Sequence, residues 1–168
     1  MSKSSAARDR AHNAKIEDVY VHTADKDWLP FYPGFLFKVL RVSAETGTWS
    51  VLVQAEKGAS FPRHTHLGAG EYFMVSGRML VRGGVENGGI TATPGDYGYE
   101  PTGIIHDFTE FPVKTVFMFT NHGAVNFIDD AGKTVAILDW QEVLRLEAEG
   151  KRAMKKAAEK KVVPKKAA

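Results

Sequence analysis

Cysteine is absent from the chain. That absence excludes disulfides, thiolate zinc sites, iron–sulfur clusters and cysteine nucleophiles together. It fits a reducing compartment. Long apolar runs are missing as well. None approaches the roughly 18 residues that cross a bilayer. Met1 to Lys15 is polar and charged, where a signal peptide would carry an apolar core. The expectation is a soluble, cytoplasmic protein with no membrane partner. A strong net charge is lacking too. The formal charge of +2 is unevenly placed: from Lys151 onward eight basic residues accompany one acidic residue, Glu159, giving +7, so the remainder carries −5. The basic character belongs to the tail, and no nucleic-acid partner is expected of the domain.

What is present suits one folded domain. The chain has 168 residues, 43% hydrophobic and 25% charged, which is a globular composition. Short apolar or alternating runs recur at Thr48–Ala55, Glu71–Val75, Arg78–Arg82, Ile104–Phe108, Lys114–Thr120 and Thr134–Leu138. Turn signals separate them: Gly83-Gly84, Gly88-Gly89, Pro94-Gly95-Asp96 and Asp129-Asp130-Ala131-Gly132. Many short strands at this spacing predict an all-β antiparallel sandwich or barrel. A helix is predicted from Asp139, which has Glu142 at capping-box spacing. Val143, Leu144 and Leu146 give it an apolar side, and Gly150 ends its packed part. The organisation expected is a flexible arm over 1–15, a domain with its C-terminal helix over 16–150, and a basic tail over 151–168.

Two clusters carry chemistry. The first is Gly58-Ala-Ser-Phe61-Pro62-Arg63-His64-Thr65-His66 followed by Glu71; the second is Pro101-Thr-Gly103-Ile-Ile-His106. Residues two apart on a strand share a face, so His64 and His66 can bind one ion side by side. Imidazole is a common ligand for Zn, Cu, Fe and Ni, and His106 can close the site from a neighbouring strand. A His-x-His pair alone is a weak signal, since most such pairs are ordinary surface or core residues. The joint pattern, with Gly58, Glu71, Gly77 and the second cluster, is specific. It resembles the two-part motif of the cupin superfamily, which implies a single-domain RmlC-like jelly-roll β-barrel. Glu71 is a candidate fourth ligand, at one of the longer spacings the motif permits. Glu110 stands where the second motif usually ends in Asn.

A narrower resemblance rests on Gly70-Glu71-Tyr72-Phe73, Gly77-Arg78-Met79, Val81-Arg82-Gly83-Gly84, Phe111-Pro112-Val113 and Asn126–Asp130. These segments resemble the small cupin dioxygenases that cleave carbon–carbon bonds, a family acting on acetylacetone, with a related group acting on 2,4'-dihydroxyacetophenone. The resemblance implies non-haem Fe(II) on His64, His66 and His106, with O₂ and a small dicarbonyl or hydroxyketone as substrates. Zn, Ni, Mn or Cu are alternative occupants of a purified sample. It implies pocket residues at Phe61, Tyr72, Arg82, Glu100, Thr109 and Phe117, and a homo-dimer or homo-tetramer. Arg82 and Glu100 are expected to pair over the mouth, Tyr72 and Thr109 to supply hydrogen bonds around the site, and Phe119 to join the apolar wall. The family carries an aromatic residue after the position of Thr120. Here Asn121 and His122 follow, and a polar pocket wall is expected from them. Two rival functions stand beside this reading: a different metal-cupin reaction, such as isomerisation, and a ligand-binding or anti-sigma-like sensory cupin that turns over nothing.

Overall fold

Alternation of buried and more exposed residues marks strand segments such as 70–74 and Thr109–Phe111. The computed structural model describes residues 19–162. The arm expected over 1–15 and the last residues of the basic tail lie outside the described residues. Fourteen strands follow in order: β1 Leu29–Tyr32, β2 Phe35–Val42, β3 Thr48–Ala55, β4 Ala59–Phe61, β5 His64–His66, β6 Gly70–Ser76, β7 Met79–Val81, β8 Ile90–Ala92, β9 Tyr97–Glu100, β10 Ile105–His106, β11 Thr109–Phe111, β12 Thr115–His122, β13 Val125–Ile128 and β14 Thr134–Leu138. They form a six-stranded sheet, β1-β2-β3-β12-β6-β9, and two four-stranded sheets, β10-β5-β13-β14 and β4-β11-β7-β8. All three contribute to one core that includes Phe37, Trp49, Val51, Met74, Phe111 and Val125. Among the described residues the protein is a single, mostly β domain with one C-terminal helix.

The runs picked out by alternation become strands with small changes at their ends. Thr48–Ala55 and Thr134–Leu138 coincide with β3 and β14, and Lys114–Thr120 is reached by β12, which extends to His122. Ile104–Phe108 shrinks to the two residues of β10. Ile104 closes a turn onto the Pro101 carbonyl, and the Phe108 carbonyl accepts from the Arg82 N–H instead. β2 escapes the alternation rule because it is covered on both sides: Phe35, Phe37, Lys38, Val39 and Val42 are all buried. Lys38 sits over the Trp28 ring and donates to the Thr23 carbonyl at 2.6 Å.

The helix spans Trp140–Val162. Asp139 caps it, its Oδ1 accepting the N–H groups of Gln141 and Glu142 at 2.9 Å each. The Glu142 carboxylate turns to Arg145 rather than closing the box. Gly150 does not end the helix. It lies where the helix approaches β1 so closely that a Cβ would stand 3.0 Å from that of Leu29. Beyond it the helix continues with residues 151–159 exposed, helped by the Lys151–Glu147 pair at 2.8 Å and by good helix formers. Among the described residues no helix is long and apolar enough to cross a membrane.

Candidate metal centre

β5 and β10 pair antiparallel, with His106 opposite His64 and Ile105 opposite Thr65. Strand alternation turns His64 and His66 to the same inner face, and the pairing brings His106 beside them. The three residues are 7%, 1% and 3% exposed in chain order. One ring nitrogen from each lies within 4.8 Å of the other two. His64 Nδ1 faces the Pro62 carbonyl at 2.7 Å, and His66 Nδ1 faces Asn121 Oδ1 at 3.2 Å. With Nδ1–H donated to those oxygens, each ring keeps a bare Nε2. His66 Nε2 is buried with no hydrogen-bond partner. Three converging buried imidazoles with lone pairs to spare are a donor set that fits a divalent transition metal.

Burial also keeps these rings neutral, the form a metal needs. Desolvation lowers the pKa of His64. It takes His66 to about 4 and His106 to about 3, with the neighbouring imidazoles pressing the same way and Arg82 adding to the effect on His106. A carboxyl shares the space. Glu100 Oε2 lies 3.3 Å from His66 Nε2, and its Oε1 lies 3.6 Å from His106 Nδ1. Burial raises the Glu100 pKa to about 7, and Arg82 opposes that rise.

A pH dependence of stability follows for the metal-free protein. An imidazole whose folded pKa lies below its unfolded value of about 6.5 is protonated first in the unfolded chain. Its contribution is intact above 6.5 and is lost as pH falls toward 4 and 3. Glu100 has the opposite sign, favouring the fold below about 4.5 and losing that contribution as pH rises through 7. Three histidines outweigh one carboxyl. The melting temperature of metal-free protein is therefore expected to drop between pH 7 and pH 5, and saturating Zn(II) to move the drop to lower pH. Calorimetry that finds a flat melting temperature across this window contradicts the neutral-imidazole assignment.

The inner face of the barrel holds a cavity of about 60 Å³ beside the histidines. Phe61, Phe117, Phe119, Tyr72, Thr109 and Glu100 line it. Arg82 does not. It lines a wider groove of about 510 Å³ with Tyr97, Tyr99 and Ile104, which Tyr72, Glu100 and His106 also border. The expected Arg82–Glu100 ion pair is not formed. Arg82 acts on Glu100 through its field, while the carboxylate turns to the imidazoles. Arg82 also holds a backbone φ of +51°, a left-handed value that favours glycine. Among the described residues the hydroxyls of Tyr72 and Thr109 make no hydrogen bond to the histidines.

Three further expectations are corrected by strand parity. Glu71 is not near the cluster. In β6 the inward positions are Gly70, Tyr72 and Met74, so Glu71 faces out, 3.5 Å from His122 Nε2. The carboxylate beside the histidines is Glu100, which stands opposite Gly70 across β6 and β9. His122 is on the outer face of β12, its side chain 47% exposed, between Glu71 and Thr48. Asn121 points inward but does not line the cavity; it lies behind His66. The cavity also takes Trp49, Val53 and Phe127, which the sequence reading did not single out. For Trp49 and Val53, both in β3, the period-2 pattern of that strand was the available signal.

A jelly roll that gathers three buried histidines from two paired strands defines a metal-type cupin. The ChrR cupin-like domain family matches residues 16–126, and the chain belongs to that family. Among individual proteins, an acetylacetone-cleaving enzyme of Acinetobacter johnsonii is 39% identical over 139 residues, covering 80% of this chain and 91% of that one. The crystal structure of an acetylacetone dioxygenase from Acinetobacter johnsonii superposes with a TM-score of 0.77 at 38% identity, covering 81% of this chain and 95% of that one. A Methylibium petroleiphilum protein assigned as an acetylacetone dioxygenase superposes with a TM-score of 0.74 at 39% identity, covering 77% and 94%.

Proposed function

We propose that this protein is an Fe(II)-dependent dioxygenase that cleaves a carbon–carbon bond in a small β-dicarbonyl compound of the acetylacetone type, using O₂. The observation that carries the reading is the convergence of His64, His66 and His106, neutral and buried, on the wall of a small apolar cavity. The near-full-length likeness to acetylacetone-cleaving relatives supports it. His64, His66 and His106 would hold the metal. Bound there, Fe(II) supplies Lewis acidity toward an enolate and the electron transfer to O₂.

The residues set the conditions for that chemistry. Three neutral imidazoles add no negative charge, so the centre keeps its attraction for an anionic enolate over the neutral ketone. Phe61, Phe117 and Phe119 keep water off the reacting carbons and admit only a compact substrate. An interior of about 60 Å³ is small. That favours a short diketone over an aryl hydroxyketone. Glu100 and Tyr72 line both the cavity and the outer groove, where they orient the polar end of an entering substrate. Arg82 adds a positive field on the groove side that draws the enolate inward.

The test is oxygen uptake. Metal-free protein is loaded anaerobically with Fe(II) and given acetylacetone or 2,4'-dihydroxyacetophenone, with zinc-loaded protein as control. Uptake is expected with iron alone, faster with acetylacetone. No uptake with either substrate at full iron occupancy overturns the reading and leaves a cupin with some other reaction.

A further inference from the structure

Asn121 lies in β12, with Trp49 beside it across β3 and Gly70 beside it across β6. It is fully buried. A primary amide has two donors and an acceptor oxygen to satisfy. Asn121 makes one such contact, Oδ1 to His66 Nδ1 at 3.2 Å, and its Nδ2 has no partner among the described residues. Burying an unpaired NH₂ is unfavourable, and an apolar side chain of the same shape avoids it. The contact with His66 is therefore what an asparagine provides here and a leucine does not.

His66 has two ways to place its single ring proton. On Nε2 the proton would point at Glu100, 3.3 Å away, and remove the lone pair needed by a cation. On Nδ1 it points at Asn121 Oδ1 and leaves Nε2 bare. We propose that Asn121 is a positioning residue for the metal centre: its Oδ1 accepts the Nδ1–H of His66 and holds that imidazole in the tautomer and orientation that present Nε2 toward the other two histidines. The inference rests on the metal-centre reading above. The ring is already confined in space. A Cβ on Gly70 would stand 2.8 Å from His66 Cε1, and the Phe119 ring lies 6.1 Å away, centroid to centroid. The Gly68 backbone also lies within hydrogen-bonding reach of the ring. Removing the amide weakens the arrangement rather than abolishing it.

The experiment compares Zn(II) affinity, by competition with a chromophoric chelator, in wild type, Asn121→Leu and Asn121→Asp. Circular dichroism monitors folding of each. The leucine variant is expected to bind Zn(II) about 10–100-fold more weakly, the size of effect seen when a ligand histidine loses its outer partner. The aspartate variant keeps the acceptor oxygen and is expected to stay close to wild type. Equal affinity in wild type and the leucine variant overturns the proposal, as does an aspartate variant as weak as leucine. Wild type that binds no Zn(II) overturns the metal centre itself, which is a separate failure. Should the leucine variant not fold, long-range ¹H–¹⁵N NMR of metal-free wild type reads the tautomer directly. Nδ1–H on His66 is expected, and predominant Nε2–H overturns the proposal.

Discussion

His106→Ala is expected to leave the protein folded and almost free of metal, with turnover down by at least about a hundredfold, since loss of even an outer partner of a ligand costs 10–100-fold. No residue next to it in the chain can take over. β10 is two residues long, Ile105 faces outward, and Asp107 is turned toward Arg63, 3.3 Å from its Nε. The strand itself survives, because its pairing to β5 is made by backbone groups. Elemental analysis after dialysis against Fe(II) or Zn(II), with circular dichroism alongside, checks both halves of the expectation. His122→Ala is the matched control: an exposed histidine beside Glu71 is lost, and metal content and turnover stay as in wild type. Metal retained by the His106 variant, and retained again when Glu100 is also replaced by Ala, would mean that the ion sits elsewhere.

The largest loss of stability is expected from Trp49→Ala. Trp49 is 1% exposed, packs against Phe119 at 5.5 Å between ring centroids, and donates Nε1–H to the Gly123 carbonyl at 2.9 Å. Truncation removes the buried indole, leaves a void against the cavity and orphans that carbonyl. Together these are expected to cost about 3–5 kcal/mol. Trp49→Phe refills much of the space and loses mainly the hydrogen bond, about 1 kcal/mol. Urea unfolding of the three proteins, read at their midpoints, measures the difference. Similar midpoints for the alanine variant and wild type would contradict the packing described for β3.

The parts legible in the sequence are those with short-range physical causes. A two-residue period puts His64 and His66 on one face, and an aspartate before an apolar helical stripe marks the cap at Asp139. Pairing across strands is a longer-range matter. Which carboxylate meets the imidazoles depends on the register of β6 against β9. Glu71 is nearer in the chain, yet Glu100, opposite Gly70, occupies the place. The fates of Asn121 and His122 follow from parity with Phe117 and Phe119, a local signal that treating both residues as pocket wall overlooks. β2 was hidden for a different reason. A strand covered on both faces loses the alternation that announces it, and its buried Lys38 is explained only by Trp28 and Thr23 arriving from an earlier segment.

The histidines and most of the cavity wall come from different sheets. His64, His66 and His106 belong to β5 and β10 in one four-stranded sheet, while Trp49, Val53, Tyr72, Phe117 and Phe119 belong to the six-stranded sheet. Holding the ion and choosing the guest are thus separable traits. Variation in β3, β6 and β12 can remould what the barrel accepts while the ion stays in place, so descendants of one such barrel can drift toward new substrates without first surrendering their chemistry. Two side chains of the six-stranded sheet, Glu100 and Asn121, reach across to His66 with polar atoms. At those two positions a change of guest is also a change of grip.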